Sequence, residues 1–351
     1  MNNSKIQLWY HQNYSACDFY RCMFPSIALS EKCPGRVYHT AVPYLEENYY
    51  RMCGVVKIHR WSTSSQLDKF TNILLRYKNA YGYSIIYDAD DVMFAEDFPQ
   101  YNIARSYYMN AQVRKAIVNM MTYSDYISVS TEYLRDYYAY KLQIPKNRFI
   151  VIKNHIPKWW VGHNYNDLKN VHKKKPIIGF VCGPTHASID PNIEDDFTNI
   201  LPWIIDNINN YEFKFVGCLP KQLEKYVDEG KITFIKGWST INYGWMIGKQ
   251  GFDIVIAPLK DSVFNRSKSN IKLLEFWASG IPIITSDIPT YSQYHNLTFS
   301  DNNQLDNLVN KLIVDLKFYR QIIKDNRSII DEGDENKDGG WWIDNHYEQF
   351  L

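Results

Sequence analysis

The sequence predicts an α/β chain made of two consecutive parallel-sheet units. Short apolar runs alternate along the chain with segments of helical period, the pattern of parallel strands joined by crossover helices. The alternation breaks once, in an irregular polar stretch ending in Lys173-Lys174-Lys175-Pro176, and then restarts. With 351 residues, the chain is long enough for two domains that each bury a core.

Taken in order, the first unit holds expected strands at Ile6 to Tyr10, Val55 to His59, Ser84 to Tyr87, Tyr126 to Val129 and Phe149 to Ile152. Leu67, Phe70, Ile73, Leu74 and Tyr77 recur at helical spacing and predict a crossover helix. After Asn154-His155-Ile156-Pro157 comes the polar stretch, and the domain boundary is placed at 171/172, with the three lysines read as a solvated linker. The second unit, 172–330, holds expected strands at Ile177 to Cys182, Phe213 to Val216, Ile232 to Ile235, Ile254 to Ala257 and Ile281 to Thr285. A long amphipathic helix follows, with Leu305, Leu308, Leu312, Leu316 and Tyr319 on one face. The segment 331–351 is acidic and glycine-containing but carries Trp341-Trp342-Ile343, so it is expected to dock back on the body.

Composition narrows the function classes. Hydrophobic residues make up 45% and charged residues 22%, which is ordinary for a folded domain. Lys+Arg 39 against Asp+Glu 38 gives a formal net charge of +1, so no global field gathers a polyanion and any nucleic acid needs a local basic groove. No run approaches the roughly 20 apolar residues that span a bilayer, and a cytoplasmic protein is expected. The six cysteines, 17, 22, 33, 53, 182 and 218, form no CxxC pair, so reduced structural thiols are expected and no metal site. Aromatics at 16% suit either core packing or the stacking of sugars and bases.

Two segments carry chemistry. The first runs from Ala257-Pro258-Leu259 through Asn265-Arg266-Ser267-Lys268-Ser269-Asn270-Ile271-Lys272-Leu273-Leu274-Glu275 to Ser279-Gly280-Ile281-Pro282. A strand ends at Pro258, a polar loop follows, and a helix begins near Ser269 and stops at Gly280. A helix N-terminus after a strand end is an anion site, because its free N–H groups and dipole face the ligand. Lys268 and Lys272 add positive charge there, and Glu275, a turn further on, offers two acceptor oxygens to a diol such as ribose. The same residues also fit a solvated helix-surface pair. The second segment is Ser84-Ile85-Ile86-Tyr87-Asp88-Ala89-Asp90-Asp91, with carboxylates at a strand's end. Asp88 and Asp90 share a side of the strand, so a cation, metal or proton is needed between them. Three readings stand: a metal-holding Asp-x-Asp of a GT-A glycosyltransferase, the nucleophile and acid/base pair of a magnesium-dependent haloacid dehalogenase-type phosphatase, or an acceptor-side cluster facing a second domain.

The 265–282 segment resembles the donor-nucleotide signature of retaining GT-B glycosyltransferases, in which a glutamate before a small-residue-Gly-x-Pro turn holds the ribose. Those enzymes carry a second glutamate eight positions earlier, where this chain has Ser267. The Asn-x-x-Lys-Ser-Asn-x-Lys version is similar to short bacterial and phage members, and there it implicates Asn265, Lys268, Ser269 and Asn270 in holding diphosphate and sugar. Ile178-Gly179-Phe180-Val181-Cys182-Gly183-Pro184-Thr185-His186 resembles the first strand and loop of the donor domain, with Gly183 near the donor and His186 as a phosphate or acceptor-side contact. Gly237-Trp238 resembles the loop beside the nucleotide base, with Trp238 as a stacking candidate. Ala16 to Arg21 with Pro25, Asp125 with Ser128 to Leu134, and Ile152-Lys153-Asn154 resemble N-terminal elements of the same family.

The resemblance implies two Rossmann-like domains facing across a cleft. It implies a nucleotide-sugar co-substrate, UDP-linked, no obligatory metal or other cofactor, and Asp90 or Asp91 as an acceptor-side base. The acceptor it implies is a glycan or, as in similar phage enzymes, 5-hydroxymethylcytosine in DNA, which would place the protein in the host cytoplasm. DNA would need a basic groove, for which Lys57, His59, Arg60, Arg105, Arg114 and Lys115 are the candidates, and a flipped base. A sugar-nucleotide-binding protein without catalysis stays open beside these.

Overall fold

The computed structural model describes residues 5–41, 46–161, 175–334, 337–338 and 340–346. The expected boundary at 171/172 and two of the three linker lysines, Lys173 and Lys174, lie outside the described residues.

Two six-stranded, all-parallel sheets form the body. The first contains β1 (Ile6–Tyr10), β2 (Val37–Thr40), β3 (Cys53–His59), β4 (Ser84–Ala89), β5 (Tyr126–Val129) and β6 (Phe149–Val151), in the order β2-β1-β3-β4-β5-β6. The second contains β7 (Ile177–Val181), β8 (Glu212–Val216), β9 (Ile232–Ile235), β10 (Ile254–Ala257), β11 (Ile283–Ser286) and β12 (Thr298–Phe299), in the order β12-β11-β10-β7-β8-β9. Each order reverses direction once, beside β1 in the first sheet and beside β7 in the second. In open α/β sheets, ligands sit outside the strand C-termini at this switch.

The ten expected strands are present with ends shifted by two residues at most. β2 and β12 were not expected. β2 is an edge strand in which only Val37 is buried, and β12 has two residues, so neither leaves a continuous apolar run in the sequence. The crossover helix spans 64–81, starting from a capping box in which Thr63 and Gln66 exchange hydrogen bonds and ending at left-handed Gly82. The long amphipathic helix is two helices, Asn302–Val314 and Leu316–Glu332, because Asp315 leaves the helical conformation and caps the second by accepting from the Phe318 N–H.

One apolar cluster joins the two units. Trp9, Phe19 and Phe24 from the first meet Trp160, Val181, Leu274 and Trp277, with Trp341, Trp342 and Ile343 in the same cluster. The 340–346 segment returns to the first unit: Ile156 donates its N–H to the Trp341 carbonyl at 3.3 Å and accepts from the Ile343 N–H at 3.0 Å. Trp9, Trp61, Trp277 and Trp341 are fully buried, so much of the aromatic content is core.

Candidate active site between the two sheets

A cleft of about 210 Å³ opens where the C-terminal ends of the two sheets face each other. Its floor is the strand ends at the second sheet's switch point, Val181-Cys182 after β7 and Ile256 to Leu259 after β10. His186, Lys268, Ser269, Lys272 and Glu275 line the same side, and Ala16, Cys17, Tyr20, Asp90, Asp91 and Asn154 come from the first unit.

Lys272 sits in the first turn of the helix Ile271–Ala278, which no side chain caps, and Lys268 in the loop before it. Leu273 and Leu274 donate to the Asn270 carbonyl, which leaves the Ile271 and Lys272 N–H groups and the helix dipole to an anion. The helix ends as expected at Gly280, with φ +66°. The Lys268 ammonium lies 4.6 Å from the Phe264 ring centroid and makes no ion pair among the described residues. Lys272 donates to Glu275 Oε2 at 2.7 Å and to the Tyr243 hydroxyl at 2.9 Å. Burial works against the Lys272 charge, but Glu275 and Tyr243 outweigh it and hold the ammonium above its ordinary range. Glu275 is buried, and Tyr20 from the first unit donates to its Oε1 at 2.5 Å. Burial and the adjacent Glu275 push the Tyr20 hydroxyl well above its usual range, so it stays a donor.

The aspartates divide into two groups. Asp88 is fully buried and takes a bidentate pair from Arg21 at 2.6 and 3.0 Å, with further bonds from His59 at 2.7 Å and Ser128 at 2.5 Å. Burial opposes its charge, yet Arg21, His59 and Lys57 hold it well below the usual carboxylate range. Arg21 also bonds Asn154, which donates to Ser269 across the cleft at 2.8 Å. Asp90 and Asp91 face the cleft, each 3.1 to 3.2 Å from one guanidinium nitrogen of Arg60, which also lies 3.2 Å from Cys17 Sγ. Arg60 has φ 52°, unusual for a residue with a side chain. Cys17, Asp90 and Asp91 are close enough to share a metal ion, but the Arg60 cation stands on all three.

His186 Nδ1 lies 2.7 Å from Asp196 Oδ2. Burial, then the nearby Lys268, lowers its pKa below the ordinary value, favouring the neutral ring. An Nδ1–H donated to Asp196 leaves Nε2 as an acceptor toward the cleft.

No family model and no curated protein matches the chain. Solved structures do. HepE of Anabaena, in complex with UDP and glucose, superposes with a TM-score of 0.60 at 11% identity over 98% of both chains. A glycosyltransferase from Rickettsia africae gives 0.57 at 10% identity, over 99% of this chain and 97% of that one. Sucrose-phosphate synthase from Thermosynechococcus elongatus gives 0.57 at 10% identity, over 99% and 98%. The chain has the GT-B fold.

Within the GT-B frame, the cleft brings together Asp90, Asp91, His186, Lys268, Ser269, Lys272 and Glu275 from the sequence candidates. Others lie off it. Asn265, in the short helix Val263–Arg266, is buried, and its amide donates to Asp196 and the Lys260 carbonyl at 2.9 Å and to Tyr101 at 3.3 Å. Asn270 is buried at the start of the 271–278 helix with its side chain off the cleft. Gly183 is exposed on the loop beyond Cys182, and Trp238 packs beside Tyr243 with ring centroids 6.3 Å apart. Ser267, at the expected second glutamate, is buried and bonds the Phe264 carbonyl.

The basic groove does not form from its first three candidates. Lys57 is buried, donating to the Arg21 carbonyl at 2.5 Å and lying over the Trp9 ring; His59 is fully buried on Asp88, and Arg60 is committed to Asp90 and Asp91. Arg105 is half-buried in the helix Arg105–Tyr108, Lys115 is exposed, and Arg114 is exposed and paired with Glu96. Sequence reasoning missed Asp196, Tyr243 and the part played by Tyr20. Asp196 follows His186 by ten residues inside Glu194-Asp195-Asp196, the one local signal; Tyr243 reaches Glu275 only through the fold.

Proposed function

We propose that this protein is a glycosyltransferase that moves a sugar from a nucleoside diphosphate sugar, UDP-linked, to an acceptor hydroxyl. One observation carries the reading: Lys268, Lys272 and the uncapped start of the 271–278 helix converge on a cleft that also holds Glu275 and, opposite, Asp90 and Asp91. Charge developing on a leaving diphosphate would be met there by fixed cations and backbone N–H groups, the main source of catalysis such a site offers. Glu275 receives the ribose in this reading, exchanging the Tyr20 hydroxyl for a diol of the donor. A GT-B structure similar to this chain is in complex with UDP and glucose, which supports the choice of nucleotide.

Catalysis without a required metal is part of the proposal, because Arg60 already supplies positive charge to Cys17, Asp90 and Asp91. Retention of configuration is a further part. Burial opposes the Asp90 charge, but Arg60 and His59 hold it below the usual carboxylate range, which makes it a weak base and suits a transfer in which the leaving group takes the acceptor proton. The acceptor enters over the first unit in this reading, whether glycan or modified base, and the protein works in the cytoplasm.

The test is thermal stabilisation by nucleoside diphosphates and their sugars, with and without EDTA. Stabilisation by UDP that survives EDTA, followed by slow UDP release from a UDP-sugar, is expected. A response that needs magnesium and tracks Asp88 and Asp90 would move the chemistry to the phosphatase reading. Stabilisation without turnover in the presence of acceptor hydroxyls would leave a binding protein.

A further inference from the structure

We infer that Cys182 and Cys218 form a reactive dithiol in the wall of the cleft, which a small-molecule disulfide entering through the cleft converts into an intramolecular disulfide. The two thiols extend neighbouring parallel strands: β7 ends at Val181, paired with Val216 of β8, and Cys182 donates its N–H to the Val216 carbonyl at 3.1 Å. The register that pairs Val181 with Val216 sets Gly217 opposite Cys182 and Cys218 one residue beyond it. The two sulfurs approach to 3.0 Å. About 1 Å of travel brings them to the bonded distance. Gly217 makes the approach possible. It sits at φ +86°, where a Cβ would stand 2.3 Å from the Cys182 carbonyl oxygen, so the two loop backbones touch.

The sulfurs differ in access. Cys182 lines the cleft and is partly exposed, whereas Cys218 is buried behind it, its thiol held protonated by its bond to Cys182 and by burial. The order of steps follows. The Cys182 thiolate attacks one sulfur of the small disulfide and expels a thiolate, giving a mixed disulfide. Cys218 then gives its proton to the thiolate released in the first step and, as a thiolate, attacks the Cys182 sulfur and expels the second thiolate. Two protein thiols are oxidised, and one disulfide is reduced to two thiols. Cys22, Cys33 and Cys53 lie off the cleft and make no such pair, so they serve as internal controls.

The proposal stands apart from the donor reading in its chemistry and draws on it only for protection: a nucleotide in the cleft covers Cys182. The experiment treats the full chain with oxidised glutathione, with and without UDP, and maps disulfides by peptide mass without reduction. Peptides bearing Cys182 and Cys218 are expected to become joined, with at least tenfold slower joining in saturating UDP. Cys218→Ser is expected to stop at a glutathione adduct on Cys182, and Cys218→Ala serves where the serine variant does not fold. Adducts scattered over Cys22, Cys33 and Cys53, or a wild-type chain that stops at the Cys182 adduct, would overturn the proposal while UDP-induced stabilisation leaves the donor reading intact. Joining at an unchanged rate in UDP that does raise the melting temperature would overturn entry through the cleft. Joining in a protein that UDP never stabilises would leave the dithiol standing and remove the donor reading.

Discussion

Lys268 stands in the loop before the helix Ile271–Ala278 and Lys272 in its first turn, and their surroundings predict different costs of removal. Lys268 pairs with no carboxylate among the described residues, so Lys268→Ala should change stability by no more than about 0.5 kcal/mol. If its ammonium meets the diphosphate, the variant should bind UDP roughly 10- to 100-fold more weakly, the worth of a hydrogen bond to a charged group. Lys272→Ala removes a 2.7 Å bond to buried Glu275 as well, and should lower both nucleotide binding and the denaturation midpoint. Equal effects of the two variants on calorimetric binding and urea unfolding would contradict this division. Asp88 gives a third contrast. Arg21→Met strands a fully buried carboxylate, at a cost of about 3–5 kcal/mol, whereas Arg21→Met with Asp88→Asn removes both charges and should recover most of the loss. A double variant no more stable in urea than Arg21→Met alone would show that the pair is not what Arg21 supports.

At the scale of elements, the loops after β7 and β8 are set by one glycine. Gly217→Ala forces a side chain into a left-handed conformation and against the Cys182 carbonyl, so a loss of about 1–3 kcal/mol is expected. At Gly183 no atom lies within 4 Å of an added Cβ and the backbone angle is ordinary, so Gly183→Ala should be neutral in thermal melts. A neutral Gly217→Ala would mean the loops are free to separate. The strands were legible because buried parallel strands are continuous apolar runs, as in Ile254–Ala257, whose bounds match the expectation. β2 and the break at Asp315 were not, since an edge strand needs one buried side chain and a helix break of one residue keeps the apolar stripe in phase. Lys268, Lys272 and Glu275 were legible because strand end, polar loop and helix start are consecutive in sequence. Tyr20 and Tyr243 were obscure because each reaches Glu275 from a different element, Asp196 because it meets His186 across an irregular loop with no periodicity to align them, and Lys57 misled because a lysine stem can be buried while its ammonium bonds a carbonyl.

At the scale of the whole molecule, the folded state is held by groups whose protonation differs from that of the unfolded chain, which fixes how stability depends on pH. His11, His39, His186 and His295 all lie below the ordinary histidine value of 6.5, with burial the first cause in each case and His295 lowered to about 4. The unfolded chain therefore binds more protons than the folded one between those lowered values and about 6.5. By linkage, stability rises with pH across this window, is fully present above it, and is lost as pH falls from about 6.5 toward about 4. The buried Asp88 acts lower down. Its folded value lies well below 3.8, so its contribution is intact above 3.8 and declines only as the pH falls further. Urea midpoints measured from pH 7 to pH 4 should therefore fall before the Asp88 carboxylate begins to protonate. His295 can be isolated from the other three. Its Nε2 bonds the Thr285 hydroxyl at 2.9 Å, and His295→Gln retains a hydrogen-bonding amide there without a titrating group. The variant should show a shallower fall between pH 6.5 and 4 than the parent chain. An unchanged slope would transfer the acid sensitivity to the histidines of the first unit and the cleft, and His186→Gln, measured with and without UDP, would then tell which of those two regions opens first.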